Sequence, residues 1–197
     1  MSSWGTSPDA VDNKPKFLTD AEKRDAYATN AGWTVPAGGN GNLAADREVL
    51  VAIRGLAGAS ATTGLREATI TDVRFVIGST ATTDLTAGVG ASITAEITWD
   101  EAVTIAGGNP TMTIANGDES TDDNGNYVLV YTPVGSTANR KIFTLSGQTL
   151  SAADVLSLGT NPVVLPGGVS IKDTASGTVD SQVSIAASVR TTHTVVA

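Results

Sequence analysis

The chain holds few residues that could perform chemistry. Its single histidine, His193, lies near the C-terminal end in the run RTTHTVVA. A Ser-His-Asp triad would need this side chain packed in a formed cleft, and one histidine cannot complete a usual zinc site. The chain has no cysteine, which excludes a thiol nucleophile, a disulfide framework and thiolate-bound metal. We therefore expect His193 to be a solvent-exposed residue of the tail.

The acidic residues form two groups with possible functions. Asp100 and Glu101 are adjacent at a predicted turn, an arrangement that suits a turn better than two opposed acid and base groups. The run NGDESTDDNGN, residues 116–126, is dense enough in oxygen ligands for Ca²⁺, but its spacing does not match an EF-hand loop. The sequence predicts a solvated loop there, with weak calcium binding as the alternative. We expect no catalytic residue, no metal site and no cofactor, and so a non-enzymatic protein.

Composition favours β-structure and turns. Of 197 residues, 41% are hydrophobic and 16% are charged, against usual values of about 45–50% and about 25%. Gly, Ala, Thr and Ser dominate, whereas the strong helix formers Leu, Glu and Lys are scarce. The sequence has no apolar run of membrane-spanning length and no apolar stretch typical of a signal peptide near Met1. These features predict a protein made and kept in a cytosol, or released by lysis.

Charge divides the chain into two parts. Residues 1–66 hold seven basic and seven acidic residues, whereas residues 67–197 hold five basic and 13 acidic ones. The second part therefore carries the whole net charge of −8. Because an acidic surface repels phosphates, we expect no nucleic-acid partner. The neutral first part is the better candidate for contact with a partner.

Alternating residues predict short strands throughout residues 67–197. The run ASITAEITWD gives the clearest pattern, because apolar and polar residues alternate with the period of a half-buried strand. Turns with Gly, Asn, Asp or Pro fall between the predicted strands. We therefore predict a mainly β protein, an immunoglobulin-like antiparallel β-sandwich over residues 67–197. The predicted inward set is Ile93, Ala95, Ile97 and Trp99, and the predicted outward set is Ser92, Thr94, Glu96 and Thr98.

The first 45 residues predict an extended arm with one short helix, whose capping box is Thr19 with Glu22. A continuous apolar block, Val49–Ile53, follows and predicts a strand buried on both faces, added to a sheet of this chain or of a neighbour. The large side chains of the arm could fold back onto the sandwich or anchor an interface, and we favour anchors. The predicted interface residues are Trp4, Phe17, Leu18, Tyr27, Trp33, Val49, Leu50, Val51 and Ile53.

Two resemblances add to these predictions. The run WDEAV at residues 99–103, PTMTIANG at 110–117 and GVSIKDTASG at 168–177 resemble bacterial and phage immunoglobulin-like domains, which implies the sandwich fold. The segment from KPKFLTDAEKRDAY through GGNGN to REVLVAIRGLAG is similar to N-terminal segments of virion structural proteins of tailed phages, especially phages of marine cyanobacteria. The second resemblance implies a component of the virion, assembled in the host cytoplasm.

The resemblance implies two alternative roles on the virion, and the acidic or aromatic loops allow a third role. The first is a capsid decoration, or cement, protein that binds the major capsid protein or other virion proteins, as a homo-oligomer in which a trimer is favoured. The second is a tail, neck or fibre component of the same particle, which copy number would distinguish. The third is an adhesion module that binds carbohydrate or another surface. We expect the first of these, with no membrane partner.

Overall fold

A computed structural model of the chain describes residues 14–38, 45–58, 65, 67–77, 80–81, 85, 88–117, 126–152 and 154–196. Antiparallel strands dominate the described residues and form a curled, sandwich-like body. A smaller unit, which we call the N-terminal lobe, packs against this body. It consists of residues 14–38, 45–58 and 65. The mainly β, antiparallel sandwich class predicted from alternation is confirmed, and the immunoglobulin-like topology stays a prediction.

The N-terminal lobe contains one helix and one small sheet, in which β2 lies between β1 and β3. The predicted capping box is confirmed. Thr19 Oγ1 accepts the backbone N–H of Glu22 at 3.3 Å, and Glu22 Oε2 accepts the backbone N–H of Thr19 at 2.8 Å. The elements are α1 Asp20–Asp25, β1 Tyr27–Thr29, β2 Gly32–Val35 and β3 Glu48–Ala52.

A small apolar core explains why residues 14–38 fold back rather than extend. The side chain of Trp33 is only 2% exposed and packs with Ala28, Leu56 and other residues of the lobe. Burying one tryptophan removes roughly 150–250 Å² from water, which offsets part of the entropy lost on ordering the chain. At Gly32 the backbone has φ +129° and lies so close to β3 that a Cβ would overlap the carbonyl oxygen of Val51. Only glycine allows this approach.

The body is built on one long sheet and one separate strand pair. The strand order of the sheet is β14-β11-β8-β9-β10-β6-β4-β5, with β12 also paired to β8, and β7 pairs with β13. A 3₁₀ turn at Ala187–Val189 precedes the last strand. The strands are β4 Ile70–Ile77, β5 Thr80–Ala81, β6 Gly88–Trp99, β7 Val103–Ala106, β8 Thr111–Gly117, β9 Tyr127–Thr132, β10 Arg140–Leu150, β11 Val155–Leu158, β12 Val163–Val164, β13 Ser170–Asp173 and β14 Thr191–Thr194.

The core of the body follows the predicted inward alternation, but the predicted outward face of β6 is partly wrong, because Thr98 is only 1% exposed. All four residues of the predicted inward set on β6 are fully buried, as are Met112 and Ile114 of β8. The sheet curls until its distant strands meet, so that the ring of His193 on β14 lies 5.8 Å from that of Phe75 on β4. The prediction of a solvent-exposed His193 is therefore wrong. Strand β14 pairs with β11, and this pairing brings the histidine onto the sheet.

Candidate functional site

The seam between the lobe and the body starts where β6 ends. The backbone N–H of Ala28 donates to the carbonyl oxygen of Asp100 at 2.7 Å, and Ala28 forms an isolated parallel bridge with Glu101. The amide of Asn139 donates to the carbonyl oxygens of Arg24 and Trp99, at 3.1 and 3.2 Å. Since Asn139 is only 2% exposed, these hydrogen bonds are shielded from water. They fix the lobe at one position on the body.

A buried glutamate gives the seam a second attachment. Glu96 of β6, predicted to face outward into solvent, is only 3% exposed because arginines and the lobe cover it. Its carboxylate lies 2.8 Å from Arg24 of the lobe, 3.3 Å from Arg140 and 3.7 Å from Arg74. Arg140 also pairs with Asp25 of the lobe at 2.9 Å. Charge pairs removed from water interact more strongly than surface pairs, so this cluster couples the lobe to the body.

Three further carboxyl groups are buried at the same seam. Asp100, Glu101 and Asp173 have no exposed surface. Asp100 Oδ1 accepts the N–H of Thr69 at 2.6 Å, and Asp173 Oδ1 accepts the N–H of Ala175 at 2.8 Å. The other oxygen of each aspartate and both oxygens of Glu101 have no hydrogen-bond partner among the described residues. At Asp100 and Glu101 the missing partners favour the neutral, protonated acid.

Burial governs the protonation of Asp100 and Glu101. It raises the pKa of Asp100 to about 7, although the hydrogen bond from Thr69 and the charge of Lys14 act in the opposite direction. Burial raises the pKa of Glu101 to about 9, and the nearby charges of Asp100 and Asp173 add to this effect. The sequence missed this burial, since it placed both residues in a solvated turn. The sequence did contain a signal for the burial of Glu101. It lies two residues from both Trp99 and Val103, which point inward, and side chains two residues apart on a strand point to the same side.

The described residues include no group of three or more Asp, Glu or His side chains arranged to hold a metal ion. The acidic residues 118–125, for which calcium was the alternative, lie outside the described residues. Within the described ranges, no helix has both the length and the apolar character needed to span a bilayer.

The predicted interface residues divide between core and surface. Trp33 belongs to the core of the lobe and cannot fill a partner's pocket, and Leu18 is also buried. Phe17 is 61% exposed. The ring of Tyr27 is covered on one face by the guanidinium of Arg47, 3.9 Å from the ring centroid. Trp4 lies outside the described residues.

Strand β3 confirms the predicted strand but not its predicted burial. Val49 is 44% exposed, while Leu50, Val51 and Ile53 are half-buried. Val51 and Ile53 pack on the core of the lobe. Among the described residues β3 pairs only with β2, so it is the edge of the small sheet. An edge strand presents unpaired N–H and C=O groups, which can pair with another chain.

The sequence reasoning missed a second exposed apolar surface. On β9, Val128 and Val130 face away from the core and are 46% and 39% exposed, and Val134 just beyond is 79% exposed. Val130 lies opposite Thr111 on β8 and Thr144 on β10, so uncharged side chains continue across neighbouring strands. We call Val128, Val130 and Val134 the valine face. The sequence signal for this surface is the run YVLVYT, residues 127–132. Tyr127 and Leu129 point inward, and the outward residues that alternate with them are valines, where polar residues are usual.

Comparison with known proteins gives no relative: no family model, no curated protein and no solved structure matches the chain. Function is therefore inferred from the surfaces and charges described above.

Proposed function

We propose that this chain is a non-enzymatic virion structural protein, a capsid decoration protein that binds and stabilises the head of a tailed phage. The observation that supports the proposal most directly is the open edge of β3. It lies on a lobe that buried ion pairs and hydrogen bonds hold on the body. A binding element fixed in this way loses little conformational entropy when it docks.

The binding mode follows from this edge. The unpaired backbone groups of β3 add a strand to the exposed edge of a sheet in the major capsid protein. The exposed side chains of Val49 and Phe17 contribute apolar contact beside that pairing. Many identical contacts on a symmetric shell then give a stable coat even where each single contact is weak.

Charge favours an outer position on the particle. Residues 67–197 carry a net charge of −8, which repels nucleic acid. An acidic body facing solvent, with a neutral lobe facing the shell, agrees with a decoration protein and needs neither a nucleic-acid nor a membrane partner.

The valine face is the place where we propose that copies of this chain meet. Two acidic bodies repel each other wherever carboxylates face carboxylates, and the row Thr111–Val130–Thr144 carries no charge. Copies can therefore approach here without desolvating like charges. The resemblance to cement proteins favours a trimer. Replacing Val130 with Lys should lower the oligomeric state measured by analytical ultracentrifugation.

The test is co-sedimentation of the purified chain with undecorated phage heads, comparing wild type with Val49→Asp and with Val164→Asp as the matched control. Val49 and Val164 are 44% and 47% exposed, and only Val49 lies on β3. We expect wild type and Val164→Asp to saturate at on the order of hundreds of copies per head, as a symmetric lattice offers. Val49→Asp should bind at least about tenfold more weakly, a loss of about 1.4 kcal/mol.

Two results would oppose the proposal. If the intact chain does not bind heads, the decoration role is wrong, and saturation at a few to dozens of copies on whole particles would favour the tail or neck. If Val49→Asp binds as well as wild type, β3 is not the docking edge. Near-ultraviolet circular dichroism of each variant would verify that Trp33 keeps its packed environment.

A further inference from the structure

We propose that the carboxyl groups of Asp100 and Glu101 form a pH-dependent latch, which holds the N-terminal lobe on the body while they are protonated and releases it when they ionise. The latch goes beyond the proposed function and does not depend on which partner the lobe binds.

The attachment of the lobe passes through the residues that titrate. Strand β1 contacts the connection between β6 and β7 through the Ala28 N–H bond to Asp100 and the bridge to Glu101. Any shift of this connection to hydrate a carboxylate would break the 2.7 Å hydrogen bond from Ala28. The carboxyl cluster and the lobe are therefore mechanically linked.

An ionised carboxylate cannot be accommodated in the closed seam. Both oxygens of Glu101 and Oδ2 of Asp100 have no hydrogen-bond partner among the described residues. A buried carboxylate without hydrogen bonds is far more costly than a buried neutral acid. Water must enter when these groups ionise, so the seam must open.

The lobe is the part expected to move. Its core among the described residues is a small cluster around Trp33, whereas the body has a continuous core that runs through β4, β6, β8 and β10. Local opening occurs in the less stable unit first. The pairs of Arg24 with Glu96 and of Asp25 with Arg140 hold the other end of the seam, so opening begins near Ala28.

The charged groups on the elements around the cluster include three lysines. Lys14 of the lobe acts on Asp100 and favours its ionised form. On β13, Lys172 lies beside Asp173 and pairs with Asp180 at 2.6 Å on the exposed side. From β10, the buried Lys141 donates from Nζ to the carbonyl oxygen of Thr137 at 2.7 Å.

The sign of the pH effect follows from the protons bound in each state. In the docked state burial raises the pKa of Glu101 from 4.5 to about 9 and that of Asp100 from 3.8 to about 7. Between the ordinary pKa values and these raised ones, the released state, in which both carboxyl groups are hydrated, binds fewer protons than the docked state. Docking is therefore strongest below about pH 4 and weakens as pH rises, until both groups are ionised above about pH 9.

Lys141 has the opposite effect. Burial lowers its pKa from 10.5 to about 8, so the docked state loses this proton first. Its contribution to stability grows as pH rises from about 8 to about 10.5. Release of the lobe in alkaline solution therefore cannot come from Lys141.

The test is hydrogen–deuterium exchange of the full chain from about pH 5 to about pH 9.5, read by mass spectrometry and corrected for the intrinsic pH dependence of exchange. In wild type, peptides containing the Ala28 amide should lose at least about tenfold of their protection between about pH 6 and pH 9. Glu101→Gln, which is neutral at every pH, should keep its protection above about pH 7, where Asp100 no longer adds to the pH dependence. Asp180→Asn, which neutralises an exposed carboxylate, should behave like wild type.

Three results would overturn the latch. These are constant protection of Ala28 in wild type, equal loss in Glu101→Gln, and loss of protection in residues 170–181 while Ala28 stays protected. If Glu101→Gln fails to fold, Asp100→Asn replaces it as the neutral variant. It keeps an oxygen to accept the Thr69 N–H, and it should remove the part of the transition below about pH 7.

Discussion

The charge of Glu96 should be the largest single polar contribution to the attachment of the lobe. The substitution Glu96→Gln keeps the size of the side chain and removes its charge. Three guanidinium groups, of Arg24, Arg74 and Arg140, then face one another without the carboxylate that they now surround. Like charges in a partly desolvated site repel, and the glutamine amide can satisfy only some of their donors.

The magnitude follows from the burial of the cluster. Removing one partner of a fully buried ion pair costs about 3–5 kcal/mol. Glu96 is 3% exposed, but its three arginines are 14%, 21% and 17% exposed, so water compensates part of the loss. We expect the free energy of unfolding to fall by about 3 kcal/mol. For a chain of this length that corresponds to a drop in Tm of about 6–12 °C.

Thermal unfolding and urea titration of wild type and Glu96→Gln would measure this loss. The control is Asp180→Asn, because Asp180 also pairs with a cation, Lys172, but is 83% exposed. Exposed pairs contribute little, so the control should change Tm far less. A double-mutant cycle of Glu96→Gln with Arg24→Gln isolates the contact across the seam, and its coupling energy should be about 1 kcal/mol or more.

A Tm for Glu96→Gln within about 1 °C of wild type would refute the reasoning, because a partly desolvated site cannot lose the carboxylate that three arginines share at so small a cost. A coupling energy near zero would mean that Arg24 does not use Glu96 to attach the lobe.

Three further predictions concern the lobe itself. Trp33→Ala should destabilise the lobe by about 3–5 kcal/mol, measured as faster amide exchange in β1 and β2. Gly32→Ala should lower Tm markedly because the new Cβ would overlap the carbonyl oxygen of Val51, whereas at Gly38 a Cβ meets no atom within 4 Å and the same change should have a small effect. Thr19→Ala removes the helix cap and should cost about 1 kcal/mol, visible as faster exchange of the Lys23 amide, which donates to the Thr19 carbonyl oxygen at 2.9 Å.

Local features of the sequence predicted a large part of the fold. The two-residue period of β6 identified Ile93, Ala95, Ile97 and Trp99 as the buried face, because neighbouring side chains on a strand point to opposite sides. The capping box of Thr19 and Glu22 was also predictable, since the groups that satisfy the helix start lie within one turn of the chain.

The seam could not be predicted in the same way. Arg24 and Glu96 are separated by 72 positions in the chain, and alternation placed Glu96 in solvent because it reports only which face a residue occupies. Whether that face is covered depends on where the lobe packs. The same limit applies to Asp100 and Glu101, which looked like an exposed turn until the lobe and β13 enclosed them.

By itself, the sequence determined the β class, the inward faces of the strands, the helix cap and the uneven charge, because these depend on neighbours a few residues apart. Only the tertiary structure decided that Trp33 is a core residue, that β3 pairs with β2 alone among the described residues and that four acidic side chains lie buried near one seam. The physical reason is that burial is set by all the elements packed around a residue. The periodic pattern around a charged residue does not show which distant segment will cover its side chain and remove it from water.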